Sequence, residues 1–372
     1  MKSNNSKSVS KGRLQPDPGQ SGFSLLELVI AMVIFIIISA SIYGLLQIGN
    51  IDRNRASRRS DVLKNARVAI HMIGRDVLNA GLAYHRRGAV VPDNFNTTRF
   101  GVPADVDGNR DMLTGVLVGN DLFQNDLNLN TAVRTDMITF AYRDMDFNGG
   151  DTIELQGVAA VSGVPSTPRL TSKTATGAAA ARPFDLYLVE SDTSQIAIMA
   201  TAVNGSNTID AAVGDPLGIN QALNGTGQAG SVLRLCTSSA DQNCTTYSAT
   251  AKRFFVVSYK VKQDGTLIRT IYGNNRGALA SAQIQEMPLA YNVEDLQVKY
   301  VLEDGTTSDN PSVGVDGIVG TADDDWQGFN DVRQVMITIK VQSTESDEKT
   351  GRPDSITLNA TFSTRNLGYD AS

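Results

Sequence analysis

The feature that most constrains this chain is a long apolar run that directly follows a short polar segment at the N-terminus. Residues 1–22 contain basic side chains and no apolar stretch, and residues 28–51 contain no charged side chain. At 1.5 Å per helical residue, this uncharged run covers roughly 36 Å, enough to cross a hydrocarbon core of about 30 Å. The sequence therefore predicts a membrane-spanning helix close to the N-terminus.

The apolar run is placed differently from that of an ordinary secretory signal. In such a signal the apolar stretch precedes the cleavage site and is removed, whereas here it follows the small residue Gly22. Cleavage at Gly22 would therefore leave the apolar run in the mature chain. Basic residues stand on both sides of the run, so charge alone leaves its orientation in the membrane open.

The sequence GFSLLELVIAMVIF at residues 22–35 closely resembles the type IV prepilin signature. The resemblance implies that a prepilin peptidase cuts between Gly22 and Phe23 and that the new amino group of Phe23 is N-methylated. It also implies that the Glu27 carboxylate pairs with the N-terminal amine of a neighbouring subunit during assembly. This role agrees with the cost of a lone carboxylate in an apolar segment. The alternative is that the Glu27 side chain reaches the nearby lipid headgroups.

A second helical pattern continues beyond the apolar run. Apolar residues recur at steps of three and four while basic residues fall mostly elsewhere, which indicates an amphipathic helix. The apolar positions are Val62, Ala66, Ala69 or Ile70, Ile73 and Val77. Gly81 is the predicted stop of this helix. The sequence of residues 61–81 also resembles the same region of PilW-type minor pilins and of J-type pseudopilins of type II secretion.

After residue 85 the apolar period changes from 3.6 to 2, which is typical of strands. The predicted strands are residues 137–142, 185–190, 195–203, 231–235, 254–261, 295–302, 335–341 and 356–362. We expect an α+β fold in which a mainly antiparallel sheet buries one face against the amphipathic helix. The predicted organisation is a leader at residues 1–22, a membrane half of the helix at 23–51, an amphipathic half at 52–82 and a β-rich head at 83–372.

Two segments between the predicted strands have little periodicity. Residues 157–183 and 204–230 are rich in Ala, Gly, Ser, Thr and Asn, so we expect surface insertions there. The extra length indicates a head that is larger than that of a minimal pilin, built either as one elaborated sheet domain or as two sheet lobes.

Three acidic loops are candidates for calcium, because oxygen ligands at alternate positions of a tight turn suit a hard cation. The candidate ligands are Asp105, Asp107, Asn109 and Asp111 in the first loop, Asp144, Asp146, Asn148 and Asp151 in the second, and Asp316, Asp323 and Asp325 in the third. The second loop is nearest to an EF-hand loop, but Leu occupies position 155 in place of its last glutamate. The alternative is that these residues form solvated turns.

Cys236 and Cys244 are the two cysteines of the chain, and their spacing suits a small disulfide loop in an oxidising compartment. The alternative is two free thiols. The two histidines, His71 and His85, lack further ligands at metal-binding spacing. No catalytic motif occurs, so an enzyme is not expected. The net charge of -6 argues against broad nucleic-acid binding.

The resemblance implies a structural subunit, a PilW-like minor pilin with its leader in the cytoplasm and its head in the periplasm. It would stay in the inner membrane until it joins other minor pilins and the major pilin in a pilus. One alternative is a type II secretion pseudopilin. Another is a membrane-anchored protein whose head and calcium loops bind a surface ligand or capture DNA. No cofactor other than calcium is expected.

Overall fold

A single helix, α1, runs from Leu25 to Asn79 and is followed by a region dominated by strands. The structure is a computed structural model that describes residues 22–104, 110–128, 132–191, 195–222, 248–312, 326–347 and 350–367. The described residues form two units, one that ends at Ser57 and one that begins at Arg58. The first unit is the apolar part of α1, rich in the β-branched residues Ile and Val. Because these residues are weaker helix formers than Ala or Leu, lipid or neighbouring helices must supply the packing there.

The second unit contains the rest of α1, a short helix and seventeen described strands. The short helix, α2, is Phe95–Phe100. The strands are β1 Ala89–Val90, β2 Met112–Leu113, β3 Val116–Phe123, β4 Thr135–Arg143, β5 Ile153–Val161, β6 Val164–Ser172, β7 Leu186–Ser191, β8 Gln195–Met199, β9 Ala202–Asn204, β10 Thr208–Asp210, β11 Ala249–Val261, β12 Leu267–Tyr272, β13 Ile284–Ala290, β14 Val293–Leu302, β15 Thr307–Ser308, β16 Val332–Ser346 and β17 Pro353–Ser363.

The long strand β11 joins two parts of the larger sheet. Its first residues, from Ala249, pair with β5 on one side and β7 on the other, whereas its last residues, up to Val261, pair with β4 and β12. From β5 the sheet continues through β6, β10 and β9, and from β7 it continues through β8, β1 and β2. Strand β3 pairs with β4, and β13 pairs with β12. The pairs are antiparallel except for the parallel contact of β1 with β8. The remaining described strands form a separate antiparallel sheet in the order β15, β14, β16, β17.

Two hydrophobic clusters lie within the second unit. The larger one combines α1 with both sheets, and the smaller one lies around β5, β6, β7 and β8. Strand β7 contributes side chains to both clusters. Leu186 and Leu188 pack in the larger cluster, and Tyr187 and Val189 pack in the smaller one. Alternate side chains of a strand point to opposite faces, so this strand is buried on both.

The buried face of α1 in the second unit agrees with the prediction. Its buried residues are Val62, Ala66, Ala69, Ile73, Gly74, Asp76 and Val77. The helix ends at Asn79, and Gly81 follows with a φ of 75°, a left-handed conformation that favours glycine. The Gly81 N–H donates to the Ala141 carbonyl at 2.9 Å, which ties the end of the helix to β4. The predicted α+β fold class and the predicted end of the helix are therefore confirmed.

The two predicted surface insertions are the main departure from expectation. Residues within 157–183 form the end of β5 and all of β6, and Leu170, Ala178 and Ala181 are buried in the smaller cluster. Within 204–230, β10 is formed and Ile209 and Ala211 are buried in the same cluster. Alanine is small enough to be buried without giving a strong periodic signal. The predicted strand at 231–235 lies outside the described residues.

Candidate functional site

The predicted processing site lies immediately before α1. Gly22, Phe23 and Ser24 are not helical, and all three residues are exposed. A Cβ added to Gly22 would meet no atom within 4 Å among the described residues. A peptide bond in an exposed, non-helical segment is accessible to a peptidase. The Gly22–Phe23 bond, the predicted cleavage site, therefore lies in an exposed segment ahead of the helix.

Two side chains of the motif cap the start of α1. The Ser24 Oγ accepts a hydrogen bond from the Leu26 N–H at 3.3 Å, and the Glu27 Oε2 accepts one from the Ser24 N–H at 3.0 Å. This reciprocal arrangement is close to a capping box, in which a serine and a glutamate three residues later satisfy free N–H groups of the first turn. The Glu27 carboxylate thus bonds to Ser24, the residue that follows Phe23.

From Leu28 to Ile51, α1 carries no charged side chain on any face. Most of the large apolar side chains from Phe23 to Ile48 are exposed, including Phe35 at 71%. Among the described residues, α1 alone is long and apolar enough to cross a membrane, judged by length and composition, a test that a secretory signal also meets. Such a surface is stable only in lipid or against other apolar helices.

The second predicted calcium loop is held by arginine side chains. Asp144 is buried, and its carboxylate forms an ion pair with the Arg253 guanidinium. The Arg143 Nη2 donates to the Gly150 carbonyl at 2.6 Å. Phe147 fills the space under Arg253, whose Cζ is 4.9 Å from the ring centroid. Arg253 therefore supplies a positive charge beside Asp144, one of the residues for which the sequence offers calcium or a solvated turn as alternatives.

The other three predicted ligands of this loop are at the surface. Asp146, Asn148 and Asp151 are exposed. Asn148 and Gly149 have positive φ values of 54° and 69°, as expected of the turn-forming residues that were the alternative interpretation. In the described part of the chain, no group of three or more His, Cys, Asp or Glu side chains is arranged to hold a metal ion.

The first acidic loop is described only at its end. Both Asp111 carboxylate oxygens accept backbone hydrogen bonds, one from the Asn94 N–H at 3.2 Å and one from the Asn96 N–H at 2.7 Å. Asp111 thus stabilises the start of α2. The remaining predicted ligands and both cysteines lie outside the described residues: Asp105, Asp107, Asn109, Asp316, Asp323, Asp325, Cys236 and Cys244.

The two histidines occupy different environments. His71 is exposed on α1, and the His85 Nε2 lies 3.8 Å from the Glu190 carboxylate. Burial lowers the pKa of His85, and the charge of Glu190 opposes that shift only in part. His85 is therefore mostly neutral at pH 7.

A buried ion pair between α1 and the sheet was missed by the sequence analysis. The Asp76 carboxylate is fully buried, lies 2.9 Å from the Arg269 Nη2, and accepts a hydrogen bond from the Tyr259 hydroxyl at 2.6 Å. Burial works to lower the pKa of Arg269, but the charge of Asp76, the interaction with Tyr259 and the hydrogen bonds to both groups together outweigh it, and the pKa is raised. The available signal was the position of Asp76 on the apolar face of the helix, between Ile73 and Val77.

Comparison with known proteins supports the N-terminal motif. Residues 17–43 match the prokaryotic N-terminal methylation motif. No match was found among curated proteins or among solved structures. The matched range contains the candidate cleavage bond, the capping residues and the first part of the apolar helix, which together indicate membrane anchoring. The chain therefore has a prepilin-like N-terminus, and its motif indicates a structural protein of the pilin-like or pseudopilin-like kind, not a known enzyme family.

Proposed function

We propose that this chain is a PilW-type minor pilin that takes part in initiating or assembling a type IV pilus. The observation that carries the proposal is the N-terminal methylation motif at residues 17–43, followed by an apolar helix whose side chains are exposed. Such a helix requires lipid before assembly and other helices afterwards. A filament core built from parallel apolar helices would meet both requirements.

The proposed sequence of events begins with removal of residues 1–22 by a prepilin peptidase. Phe23 then becomes the first residue and its amino group is methylated. In the membrane, the Glu27 carboxylate guides the subunit into register by pairing with the amino terminus of a neighbour. Among the residues that the structure describes, Glu27 is exposed and its carboxylate bonds to the Ser24 N–H at the start of its own helix, an arrangement that leaves it accessible to such a partner.

The proposed location is the inner membrane, with the head in the periplasm, and later the pilus. The proposed partners are the prepilin peptidase, other minor pilins and the major pilin. The size of the head, residues 83–372, favours a minor pilin over a J-type pseudopilin, because J-type pseudopilins are usually smaller. Calcium has no part in this proposal.

The first test is the N-terminus of the mature protein. The full chain is expressed with a prepilin peptidase, purified from membranes, and examined by intact mass and N-terminal sequencing. We expect a chain that begins at methylated Phe23, and we expect Gly22→Ala to remain uncut. Gly44→Ala is the matched control, because a Cβ at Gly44, like one at Gly22, meets nothing within 4 Å; this variant should be cut normally.

Two outcomes would contradict the proposal at different levels. An uncut wild-type chain, or one cut within the apolar run, would exclude the pilin pathway and favour an ordinary membrane-anchored or secreted protein. The chain could instead be cut correctly but, after crosslinking in cells, co-purify with type II secretion pseudopilins and not with other minor pilins. This result would support processing by the prepilin peptidase and would exclude a role in a pilus.

A further inference from the structure

An open cleft lies on the second unit, beside the turn between β11 and β12. Its volume is about 670 Å³, and its lining includes Phe123 at the end of β3, Lys260 and Lys262 at the end of β11, and Gln263 and Asp264 in the turn. The volume is within the usual range for small-molecule sites. No part of the N-terminal motif contributes to it.

An aromatic ring and a lysine lie together in this cleft. The Lys260 Nζ is 5.6 Å from the centroid of the Phe123 ring. Phe123 is only half-buried, so part of its surface faces the cleft. The Lys260 cation lies over one face of the ring, which restrains the lysine, and the exposed remainder of the ring offers an apolar surface for stacking.

Carboxylates slightly outnumber lysines in and beside the cleft. Lys262 pairs with Glu286 at 2.5 Å, Lys260 lies 3.8 Å from the same carboxylate, and Asp264 carries a second negative charge. The hydrogen bond that Lys262 donates to Glu286 raises the pKa of Lys262, and hydrogen bonds from Thr266 lower the pKa of Asp264, so both groups are charged at neutral pH. With the Asp126 carboxylate, which Gln263 contacts, two positive and three negative charges lie in or beside the cleft, so an anion gains no net attraction there.

The polar side chains around the ring are exposed and varied. Gln124, Lys262, Gln263 and Asp264 are all exposed, and together they offer both donors and acceptors. Gln263 is oriented by donating from its Nε2 to the Asp126 carboxylate at 3.0 Å. Hydroxyl groups can satisfy such a mixed set, because each hydroxyl both donates and accepts.

We propose that this cleft binds a neutral saccharide, with a sugar ring stacked on Phe123 and its hydroxyl groups bonded to the lysine, glutamine and aspartate side chains. A pyranose has one face of C–H groups and a rim of hydroxyls, which matches a flat apolar surface bordered by polar groups. An anionic sugar or an acidic peptide fits less well, because the carboxylates in and beside the cleft already outnumber the lysines. An apolar peptide would leave the polar rim without partners.

The test uses the full chain in lipid nanodiscs on an array of neutral and acidic oligosaccharides, followed by titration calorimetry with the neutral saccharide that binds. We expect Phe123→Leu, which keeps an apolar side chain, and Lys262→Gln each to weaken binding about tenfold, which equals about 1.4 kcal/mol. Lys299→Gln is the matched control, because Lys299 is also an exposed lysine and pairs with the Asp309 carboxylate. The affinity of this variant for the saccharide should equal that of the wild type.

Three results would overturn the proposal. They are the absence of any bound neutral saccharide, binding of acidic oligosaccharides alone, and binding of a neutral saccharide that neither Phe123→Leu nor Lys262→Gln weakens. Circular dichroism of each variant checks that the head is folded. Processing at Gly22 does not enter these measurements, so their failure leaves the proposed filament role unaffected.

Discussion

Glu27 has two possible partners, and they differ in what they require of its side chain. In the single chain its Oε2 accepts the Ser24 N–H at 3.0 Å, and a neutral glutamine at this position can cap a helix as well. Pairing with the amino terminus of a neighbouring subunit requires the negative charge. Glu27→Gln therefore separates the capping role from the assembly role.

We expect Glu27→Gln to be cleaved and inserted in the membrane like the wild type but to enter filaments about tenfold less, a loss of roughly 1.4 kcal/mol. Immunoblots of sheared filaments and of membranes measure the two pools. Ser41→Ala is the control, since Ser41 is a polar residue of the same segment that bonds only to the Ile37 carbonyl of its own helix. Equal incorporation of Glu27→Gln and the wild type would assign Glu27 to capping alone.

Asp76 is the second single residue with a large expected effect. Removing one partner of a buried ion pair leaves the other charge uncompensated, at a cost of about 3–5 kcal/mol. We expect Asp76→Asn to lower the free energy of unfolding by that order, because the buried Arg269 would lose its counter-charge. Urea unfolding of the full chain in mild detergent, followed by near-ultraviolet circular dichroism, measures it.

Asp61 provides the comparison for Asp76 on the same helix. It pairs with Lys64 at 3.3 Å, and both side chains are about 70% exposed. Exposed pairs contribute only about 0–1 kcal/mol, so Asp61→Asn should be close to the wild type. Similar losses for the two variants would show that the Asp76 pair is not specially stabilising.

At the scale of elements, the packing of α1 on β17 depends on a missing side chain. A Cβ at Gly74 would lie 2.3 Å from the Cε1 of Phe362. Alanine gains about 1 kcal/mol over glycine within a helix, whereas overpacking costs about 1–3 kcal/mol. We expect Gly74→Ala to destabilise the wild type by about 1 kcal/mol and to stabilise a Phe362→Leu background. Urea unfolding of the four chains tests this change of sign, and stabilisation in both backgrounds would contradict it.

The sequence predicted those elements whose apolar period is strong. Both the buried face of α1 and the alternation of β14 could be predicted from the sequence. In β14 the buried residues are Leu296, Val298 and Tyr300. The face of β11 was only half predicted, because Phe254 and Val256 are buried as well as Val257 and Tyr259. Burial on both faces follows from a second layer of structure, which the period of a single strand does not reveal.

The site was predictable where it depended on adjacent residues and unpredictable where it depended on distant ones. The cleavage bond and Glu27 belong to one continuous motif. In contrast, the pairing of Asp144 with Arg253 joins residues 109 positions apart, and the acidic spacing alone suggested calcium. The cleft at Phe123 and Lys262 likewise exists only because β3 and the end of β11 are brought together by pairing with β4.

At the scale of the whole second unit, one buried carboxylate links the two sheets. The Asp136 side chain, on β4, accepts the Val298 N–H of β14 at 2.7 Å and the Asp121 N–H of β3 at 2.9 Å. Asp121 has a positive φ of 52° at an irregular point of β3. Burial raises the pKa of Asp136 to about 7, although the two backbone hydrogen bonds oppose the shift.

This pKa gives the stability of the head a defined dependence on pH. Between about pH 4 and about pH 7 the folded state holds a proton on Asp136 that the unfolded chain has released, so stability falls as pH rises through this range. The shift of the Asp136 pKa from 3.8 to about 7 sets an upper limit of about 4 kcal/mol on this contribution to stability, at 1.36 kcal/mol per pKa unit.

We expect Asp136→Asn to be less stable than the wild type at pH 5 and to lose this contribution to the pH dependence of stability. Urea midpoints at pH 5 and pH 8, with the exposed Asp309→Asn as control, measure both effects. If the wild type and Asp136→Asn change equally between the two pH values, the carboxylate is ionised throughout, and the junction of the two sheets is held by its hydrogen bonds alone.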